Sequence, residues 1–472
     1  MNTKKPSDDI NFKLTSDGWR GKLAQNFTFS NVKLITNALA KYLIKDLKKN
    51  KVVLGYDTRF MSKEFADFIA DILCDLGLDV FIINRPSPTP LLTFATNKYK
   101  FPFGINVTAS HNSPFENGLK IRMGYGGTPT QDTIKKIESY FGKNTIKPKK
   151  IGKIKSIDPF NKYFSEIGEF LNTKDLKKLN IKILVDTMHG ATNGILKSIF
   201  RNIPITINYL NENFDPFFGG INPEPKFETT RELQHIVKVQ KYNLGIAHDG
   251  DGDRIIAVYP SYGYLSPHDV SAILLWYLAK YQKAQGKVLG SSTLGRRVKR
   301  ICNYLGLDYQ EIPVGFKNST EIMLKEEVLL AAEENGGLGF GFYLPERDAT
   351  LAAVKLIEAE ITVDGGIKKL LTEIENIAGK SGFCRVNYVP SINRENLFKK
   401  LLRLKGSNFN YRKIDNTSEL DGIKVTYDNG DWLSIRFSGT EDVIRIYCES
   451  ETRKDATRIK DSAIKQIQRL EG

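Results

Sequence analysis

The sequence predicts an α/β fold of four domains, three related α/β domains with mixed sheets and a C-terminal α+β domain, around a central cleft. With 472 residues the chain is too long for a single hydrophobic core, so several domains are expected. Apolar strand patterns alternate with helical patterns along most of the chain, and each alternating stretch ends in a polar loop that contains glycine or asparagine. Such βαβ alternation is typical of sheets covered by helices on both faces, with ligands bound beyond the strand ends.

The first predicted domain covers residues 1–150. Its patterns are, in order, a strand at Val52–Gly55, a helix at Ser62–Leu76, a strand at Val80–Ile83 and a buried strand at Phe103–Val107. The last of these strands leads into the loop Thr108-Ala109-Ser110-His111-Asn112. Short apolar runs predict the strands, and apolar residues that recur at helical spacing predict the helix.

The remaining domains are predicted over residues 151–260, 261–375 and 376–472. The second has a strand at Ile181–Val185, a helix at Thr192–Phe200, and strands at Leu244–Ala247 and Ile255–Tyr259. The third has a helix at Val270–Tyr281, a strand at Lys287–Gly290, a helix at Arg296–Leu305 and a strand at Val328–Ala332. The fourth has strands at Trp432–Phe437 and Val443–Glu449, and a final helix whose apolar residues keep helical spacing from Ala456 to Leu470.

Composition narrows the class of protein. Hydrophobic residues make up 41% of the chain and charged residues 26%, which indicates a globular protein and not a disordered one. Apolar runs fall short of a membrane span, and the N-terminus lacks an apolar signal segment, so we expect neither membrane association nor secretion. The four cysteines are scattered without a C-x-x-C pair, which favours a reducing, cytoplasmic environment.

The net charge of +15 has two explanations. Nucleic-acid binding is one, but the basic residues are dispersed in short runs without a recognisable nucleic-acid module, so we expect no nucleic-acid partner. The other is a composition rich in Lys and Asn that reflects codon bias. A positive field would in either case help to gather small anionic substrates.

The loop Asp249-Gly250-Asp251-Gly252-Asp253-Arg254 carries the strongest chemical information in the chain. Three carboxylates at alternate positions repel one another, and oxygen ligands of this kind suit a hard cation such as Mg²⁺ or Ca²⁺. An EF-hand does not fit, because its loop needs glycine and glutamate where this chain has Arg254 and Pro260. An arginine beside a hard cation suggests an anionic ligand such as phosphate. The alternative is an acidic, solvated turn.

Two further loops carry candidate reactive or binding groups. Ser110 follows a buried strand and could act as a nucleophile, with His111 or Lys120 assisting proton transfer, although a serine in this position is often only a turn residue. The hydrolase motif G-x-S-x-G is missing, so an acyl-transfer triad lacks support. The segment Arg436-Phe437-Ser438-Gly439-Thr440, with Arg445, offers donors that suit a phosphate dianion, and an ordinary hairpin turn is its alternative.

Six motifs, in the same order along the chain, resemble those of the α-D-phosphohexomutases, the phosphoglucomutase/phosphomannomutase superfamily. They are Thr15-Ser16-Asp17-Gly18-Trp19-Arg20-Gly21, Gly55-Tyr56-Asp57-Thr58-Arg59, Thr108-Ala109-Ser110-His111-Asn112, Asp249–Arg254, Glu333–Gly337 and Arg436–Glu441. The segments Pro313–Lys317 and Leu344–Asp348 also resemble their family counterparts. Each motif alone is weak, but the ordered set is specific and covers essentially the whole chain.

The resemblance implies an isomerase of carbohydrate metabolism that interconverts hexose 1-phosphate and hexose 6-phosphate, of glucose, mannose or both. Ser110 would carry a phosphoryl group, and Mg²⁺ would be bound by Ser110, Asp249, Asp251 and Asp253. Transfer of this group to a hexose monophosphate would form a bound hexose 1,6-bisphosphate, which also serves as the activator. The other phosphate would then return to Ser110. The partner would be a phosphosugar, and the enzyme a monomer or a dimer.

The resemblance also implies roles for individual residues. The catalytic residues would be Ser110, Lys120, Arg20 and His111, with Lys120 in acid/base work and Arg20 supporting charge. The substrate-binding residues would be Arg254, Lys317, Glu333, Asn335, Arg436, Ser438, Gly439, Thr440 and Arg445. Within this set, Glu333 and Asn335 match positions that bind sugar hydroxyls, and the residues from Arg436 onward match the distal phosphate site.

Four positions depart from the family pattern: Thr15 replaces a common glycine, Ser113 a frequent proline, Asn335 the serine of the sugar loop and Phe437 the proline of the phosphate loop. None removes a metal ligand or the nucleophile. Asn335 bears on sugar preference, because a carboxamide reaches further than a hydroxyl and donates through NH₂.

Two alternatives to this assignment stay open. One is a phosphoglucosamine mutase, which the segments Phe316-Lys317 and Leu344–Asp348 disfavour. The other is a non-catalytic phosphosugar-binding paralogue, which would not need Ser110 together with three aspartates.

Overall fold

The structure, a computed structural model, describes residues 13–143, 146–148, 150–172, 176, 179–437 and 443–472. The chain divides into two compact units. The first comprises Met1–Leu171, Lys182–Arg254 and Leu344–Leu351, and the second comprises Asn172–Ile181, Ile255–Tyr343 and Ala352–Gly472. Among the described residues, no helix combines the length and the apolar character that crossing a membrane requires.

The first unit contains a mixed six-stranded sheet. Its strands are β1 (Trp19–Lys22), β2 (Lys51–Tyr56), β3 (Asp79–Ile83), β4 (Phe103–Val107), β5 (Glu116–Met123) and β6 (Ile154–Ile157), in the order β1-β5-β4-β2-β3-β6. Strand β2 is parallel to β3 and β4, and β3 is parallel to β6, whereas β5 is antiparallel to β1 and β4. The helices are α1 (Phe29–Lys41), followed by a π-helical turn at Tyr42–Asp46, α2 (Ser62–Asp75), α3 (Thr89–Lys98), α4 (Gln131–Glu138) and α5 (Phe160–Glu169).

Apolar spacing explains how these helices cover the sheet. In α2, Phe65, Ile69 and Leu73 recur at helical intervals, are buried, and belong to the same core as Val52 and Leu54 of β2. Each buried aliphatic side chain contributes roughly 1.5–3 kcal/mol, so this face decides where the helix lies.

The rest of the first unit has a parallel arrangement around a central strand. Its elements are β7 (Lys182–Asp186), α6 (Ile195–Ile199), β8 (Thr206–Leu210), a 3₁₀ turn at Phe218–Gly220, α7 (Arg231–Val239) and β9 (Leu244–His248). Strand β7 pairs in parallel with both β8 and β9. The chain leaves β9 directly into the loop of three aspartates, as it leaves β4 into the Ser110 loop.

The second unit begins with an antiparallel pair and a mixed four-stranded sheet. Its elements are β10 (Ile255–Tyr259), β11 (Gly263–Leu265), α8 (Pro267–Trp276) with a π-helical turn at Tyr277–Tyr281, β12 (Lys287–Ser291), α9 (Arg296–Leu305), β13 (Tyr309–Ile312), α10 (Phe316–Met323), β14 (Val328–Ala332), β15 (Leu338–Phe340), most of α11 (Ala349–Thr362), which belongs to this unit from Ala352 onward, and α12 (Gly366–Ala378). The sheet order is β13-β12-β14-β15, with only β15 antiparallel.

The C-terminal part of the second unit is an antiparallel sheet with two helices. Its elements are β16 (Gly382–Tyr388), α13 (Arg394–Leu404), β17 (Ile414–Ser418), β18 (Ile423–Tyr427), β19 (Trp432–Phe437), β20 (Ile444–Ser450) and α14 (Arg453–Glu471), and the sheet order is β16-β20-β19-β18-β17. Ile459 and Ile467 of α14 share a buried core with Ile444 and Ile446 of β20.

These features confirm the predicted fold class of mixed α/β sheets followed by an α+β domain, and most predicted strands agree within two residues. The helix predicted over residues 192–200 is shorter, Ile195–Ile199, because Gly194 before it has φ 74°, outside the helical region. The helix predicted from Val270 begins earlier, at Pro267, after a capping box formed by Ser266 and Asp269. The four domain boundaries stay a prediction.

Candidate active site

Ser110 lies in a tight, buried loop after β4. Its side chain is fully buried, its φ is 56°, and its backbone N–H donates to Thr108 Oγ1 at 2.9 Å. A left-handed φ at a residue other than glycine costs on the order of 1–3 kcal/mol and persists only where surrounding contacts support it.

Arg59 supplies much of that support. Its buried guanidinium donates to the carbonyl oxygens of Ser110 (2.5 Å), Asn112 (2.8 Å), Ser113 (2.7 Å) and Glu116 (3.0 Å). Four carbonyls of one loop therefore converge on a single cation. The sequence motif that ends at Arg59 fixes the shape of the Ser110 loop.

Asp57 connects the same motif to the loop from the other side. Its Oδ2 lies 3.2 Å from Arg59 Nε and accepts a hydrogen bond from Thr108 Oγ1 at 2.5 Å, while its Oδ1 accepts from Ser62 Oγ at 2.7 Å. Burial raises the pKa of Asp57, although Arg59, Thr108 and Ser62 oppose this effect. Its contacts assign Asp57 a structural role beneath Ser110.

The aspartate loop is folded by one of its own carboxylates. Asp249 Oδ1 accepts hydrogen bonds from the backbone N–H groups of Asp253 (3.0 Å) and Arg254 (3.1 Å), and Gly252 adopts φ 68° to close the turn. A Cβ at Gly250 would lie 2.7 Å from the carbonyl oxygen of Ser110. The absence of a side chain at Gly250 therefore lets the aspartate loop approach the Ser110 loop closely.

Asp249, Asp251 and Asp253 form a buried cluster in which one oxygen of each lies within 4.8 Å of the others. Among the described residues, none donates a hydrogen bond to Asp251 Oδ1 or Asp253 Oδ1. Burial, together with repulsion by the other two carboxylates, raises the pKa of Asp249 well above its usual range. Buried carboxylate oxygens without donors require a cation, so this cluster fits a metal ion that prefers oxygen ligands.

Ser110 joins this cluster directly. Its hydroxyl donates to Asp249 Oδ2 at 2.9 Å, although the two residues are 139 positions apart in the chain. Thr89 Oγ1 donates to Asp251 Oδ2 at 2.5 Å and its N–H donates to the Asp251 carbonyl at 2.8 Å, so α3 also holds the aspartate loop. The serine and the three aspartates predicted from separate loops thus lie together.

Three cations surround the cluster. Lys120 Nζ lies 2.5 Å from Asp253 Oδ2 and 2.6 Å from Asp251 Oδ2, Arg347 contacts Asp253 Oδ2 at 3.1 Å, and Arg254 Nε is 3.7 Å from Asp253 Oδ1. Burial acts to raise the pKa of Asp253, but Arg347, Lys120 and Arg254 outweigh it and hold that pKa below its ordinary value. The three cations balance the three aspartates, so an additional anionic group here would need further positive charge, such as that of a metal ion.

Asp17 lies close to three cations, Arg20, Lys120 and Arg347. Its Oδ2 pairs with Arg20 at 2.7 Å and lies 3.9 Å from Lys120 Nζ, while its Oδ1 pairs with Arg347 at 2.9 Å. Burial lowers the pKa of Lys120, but Asp17, Asp251 and Asp253 together outweigh burial and raise it. Lys120 is therefore an ammonium ion in this arrangement.

Arg20 lies near the start of β1 and contacts the loop after β4 that contains His111. Arg20 donates to Asn112 Oδ1 at 2.7 Å, which ties β1 to the residue that follows His111. Burial and the nearby charges of Arg254, Arg20 and Lys120 hold the pKa of His111 well below its ordinary value. His111 Nδ1 is buried without a hydrogen-bond partner among the described residues.

The predicted sugar-recognition residues lie in the second unit. Glu333 follows β14 and is buried, and its Oε1 accepts from Gly315 N–H at 3.1 Å. Asn335 Oδ1 accepts from Gly337 N–H at 2.9 Å within the same loop, and its amide NH₂ and the second lone pair of Oδ1 can bind another group. Lys317 lies in the first turn of α10, immediately after the loop that contains Gly315.

Arg436 and Arg445 lie on neighbouring strands of the C-terminal sheet, directly opposite each other in the β19–β20 register. Arg436 forms a forked ion pair with Asp421, with Nε to Oδ2 at 2.6 Å and NH2 to Oδ1 at 3.1 Å. Ser438, Gly439 and Thr440, predicted to bind phosphate, lie outside the described residues.

Sequence analysis assigned no role to several residues that the structure brings into this site. Arg59, Asp17 and Arg347 each belong to a segment that resembles a family motif. The sequence of those segments does not show which residues these side chains contact. Arg347 and Asp17 are 330 positions apart, so no local pattern could have paired them.

Models of known protein families match consecutive parts of this chain from residue 12 to residue 466. Four family models match it: phosphoglucomutase/phosphomannomutase alpha/beta/alpha domain I at residues 12–147, domain II at 161–262, domain III at 266–376, and the C-terminal domain at 351–466.

Individual relatives match this chain over most of their length, but they are named as different mutases. A protein of Methanosphaera stadtmanae named as a phosphoglucosamine mutase is 30% identical over 94% of this chain and 96% of its own. A phosphoglucomutase/phosphomannomutase of Thermococcus kodakarensis is 27% identical over 88% and 90%. A crystal structure from Thermus thermophilus, named as a phosphomannomutase, is 28% identical, covers 97% and 99%, and has a TM-score of 0.86.

Fold, site and relatives define an enzyme of the intramolecular phosphotransferase class. The chain belongs to the phosphoglucomutase/phosphomannomutase family, within the α-D-phosphohexomutase superfamily, which confirms the resemblance seen in its motifs.

Proposed function

We propose that this enzyme interconverts hexose 1-phosphate and hexose 6-phosphate, of glucose, mannose or both, through a phosphoserine at Ser110 and a bound hexose 1,6-bisphosphate. The observation that carries the proposal is the 2.9 Å contact between Ser110 Oγ and Asp249 Oδ2 within a buried cluster of three aspartates. A hydroxyl needs no such surroundings to serve as a turn residue. A phosphoryl group on that oxygen would need both a cation and excluded water.

Mg²⁺ is the proposed ion, held by Asp249, Asp251, Asp253 and an oxygen on Ser110. The ligands are all oxygen atoms, the donor type that Mg²⁺ prefers and Zn²⁺ does not require. When bound, Mg²⁺ would offset negative charge on the transferring phosphoryl group.

The chain's own cations would act on the same group. In the proposed step, a sugar hydroxyl oxygen forms a bond to phosphorus as the bond between phosphorus and Ser110 Oγ breaks. The Lys120 ammonium gives a proton to Ser110 Oγ, and the resulting amine takes the proton of the sugar hydroxyl. Arg20 and Arg254 are proposed to stabilise charge on the equatorial oxygens, as guanidinium groups do by forked hydrogen bonds.

Lys120 is the proposed acid/base residue. Its Nζ lies within 2.6 Å of two of the clustered aspartates, and in the ammonium form it can return a proton to Ser110 Oγ when the serine becomes the leaving group. His111, the neighbour of Ser110 in sequence, is the second nitrogen that could take part in this proton transfer.

The second unit is proposed to recognise the rest of the substrate. Glu333 and Asn335 would bind sugar hydroxyls, with Lys317 as a further contact. The distal phosphate would be bound by Arg436, Ser438, Gly439, Thr440 and Arg445, of which the three residues from Ser438 to Thr440 are assigned from the motif alone. After the first transfer, the bisphosphate would turn over so that its other phosphate returns to Ser110, and added hexose 1,6-bisphosphate would act as activator by phosphorylating Ser110.

The identity of the sugar has two candidates. Glucose or mannose is favoured by the segments Phe316-Lys317 and Leu344–Asp348, which disfavour a phosphoglucosamine mutase. Asn335 bears on the choice because its NH₂ can donate to a sugar hydroxyl while its Oδ1 keeps a second lone pair for a donor. Glucosamine is favoured by the names of relatives such as those of Methanobrevibacter smithii and Methanosphaera stadtmanae. Initial rates with the three 1-phosphates, for the wild type and Asn335→Ser, decide between them.

The test of the mechanism is Ser110→Ala, assayed for hexose 6-phosphate formation with Mg²⁺ and a trace of bisphosphate. We expect a loss on the order of 10⁶-fold, the size seen when an enzyme loses its nucleophile. Ser113→Ala, in the same loop, is the matched control and should keep most of the wild-type rate. Mass spectrometry should find a phosphoryl group on the Ser110 peptide of the wild type. Full activity in Ser110→Ala would exclude the mechanism.

A further inference from the structure

Asp421, in the turn before β18, accepts four hydrogen bonds. Arg436 donates two of them, Val314 N–H donates one to Oδ2 at 2.8 Å, and Ser292 Oγ donates another to Oδ2 at 3.1 Å. The carboxylate is about four-fifths buried, with 19% of its side chain exposed. A carboxylate with this many donors is fully satisfied and therefore held in one orientation.

The position of Arg436 explains why such a partner is needed. Arg436 and Arg445 are direct cross-strand partners, so their side chains leave the same face of the sheet, and like charges in this relation are destabilising. The forked pair with Asp421 offsets that repulsion and fixes the plane of the Arg436 guanidinium. Because Asp421 uses only Nε and one N–H of NH2, the remaining donors of Arg436 can still bind a ligand.

Asp421 also connects this arginine to the sugar-recognition loop. Val314 and Gly315 are consecutive: the N–H of Val314 donates to Asp421, and the N–H of Gly315 donates to Glu333 Oε1 at 3.1 Å. Gly315 has φ 117°, a conformation that favours glycine at this position of the loop. Glu333 therefore accepts a hydrogen bond from one of two neighbouring peptide groups, and Arg436 is connected to the other through Asp421.

We infer that Asp421 is a positioning residue that aligns Arg436 for the substrate's distal phosphate and couples that arginine, through Val314 and Gly315, to Glu333. The inference rests on the proposed function, because it takes Arg436 as a phosphate ligand and Glu333 as a sugar ligand. One connected group of hydrogen bonds then fixes the positions of both Arg436, the phosphate ligand, and Glu333, the sugar ligand. The spacing of these two side chains therefore favours substrates whose phosphate and hydroxyl groups are separated by a matching distance.

The first experiment compares Asp421→Asn with Asp428→Asn, which makes the same change of charge at an exposed position of the next turn. We expect Asp421→Asn to raise KM for the hexose phosphate about tenfold with little change in kcat, because it weakens binding of ground state and transition state alike. Asp428→Asn should match the wild type, and Asp421→Glu should restore most of the lost affinity. An unchanged KM in Asp421→Asn would overturn the inference.

Isothermal titration with inorganic phosphate separates this inference from the proposed function. If Asp421→Asn binds phosphate more weakly than the wild type does, the positioning role is supported. A wild type that is inactive on every hexose phosphate would refute the proposed function but not this role. Equal phosphate binding by the two proteins refutes the positioning role, and so does a wild type that binds no phosphate.

The coupling is tested by a double-variant cycle of Asp421→Asn with Glu333→Gln. We expect the double variant to raise KM by clearly less than the product of the two single effects, since each variant releases the same loop. The control cycle of Asp428→Asn with Glu333→Gln should be multiplicative. A multiplicative result for the Asp421 cycle would refute the connection between the two sites.

Discussion

Replacing Arg59 by lysine keeps the positive charge beneath the Ser110 loop and removes the shape of the guanidinium. Arg59 donates to four carbonyl oxygens, those of Ser110, Asn112, Ser113 and Glu116. A lysine ammonium is a single point with three donors, so it cannot reach all four acceptors in their present positions.

The expected magnitude follows from these contacts. Losing two of the four hydrogen bonds, at roughly 1.5 kcal/mol each for a charged donor, removes about 3 kcal/mol of loop stabilisation. That amount is comparable to the cost of on the order of 1–3 kcal/mol that Ser110 incurs at φ 56°, so the serine should relax toward an ordinary conformation. A displacement of about 1 Å costs roughly 100-fold in rate, and we expect kcat of Arg59→Lys to fall by that factor.

The assay is steady-state mutase activity together with thermal unfolding of each variant. The matched control is Arg85→Lys, since Arg85 lies in the same unit, is 52% exposed, and has Asp158 only at 3.8 Å. Arg85→Lys should keep the wild-type kcat. Wild-type kcat in Arg59→Lys, or an equal loss in both variants, would refute the positioning role of Arg59.

Three further outcomes are expected. Gly118→Ala should lower the melting temperature by several degrees, because its Cβ would lie 2.6 and 2.7 Å from two backbone oxygens, whereas Gly168→Ala, whose nearest atom is at 4.0 Å, should not. Burial raises the pKa of Asp348, which accepts a hydrogen bond from Tyr163, to about 7. The folded state thus holds a proton that the unfolded chain has lost, so stability should fall by up to about 4 kcal/mol as pH rises from about 4 to 7, and Asp348→Asn should remove this slope in urea unfolding. Mg²⁺ at 100 times the Kd of the wild type should stabilise the wild type by about 2.7 kcal/mol in thermal unfolding. The same Mg²⁺ concentration should stabilise Asp251→Asn by much less. Equal shifts in the two proteins would contradict the aspartate site.

The fold class could be predicted because its signals are local. Alternating strand and helix patterns and the polar loops that follow them are properties of neighbouring residues, and the structure confirms the sheets they predict. The aspartate cluster is local too, since three carboxylates at alternate positions of one turn necessarily lie close together. Predictions failed by a few residues where a cap or a glycine with positive φ decided the end of a helix, as at Ser266 and Gly194.

Most of the site's electrostatics depended on contacts that no local pattern encodes. The sequence alone determined the residue types: a serine after a buried strand, three clustered carboxylates and scattered arginines. Only the tertiary structure decided that Ser110 meets Asp249 across 139 positions, that Arg59 holds the serine loop, and that Asp421 has Arg436 as its partner. The physical reason is that hydrogen bonds and ion pairs act over a few ångströms in space, and separation along the chain does not determine which groups come within that range.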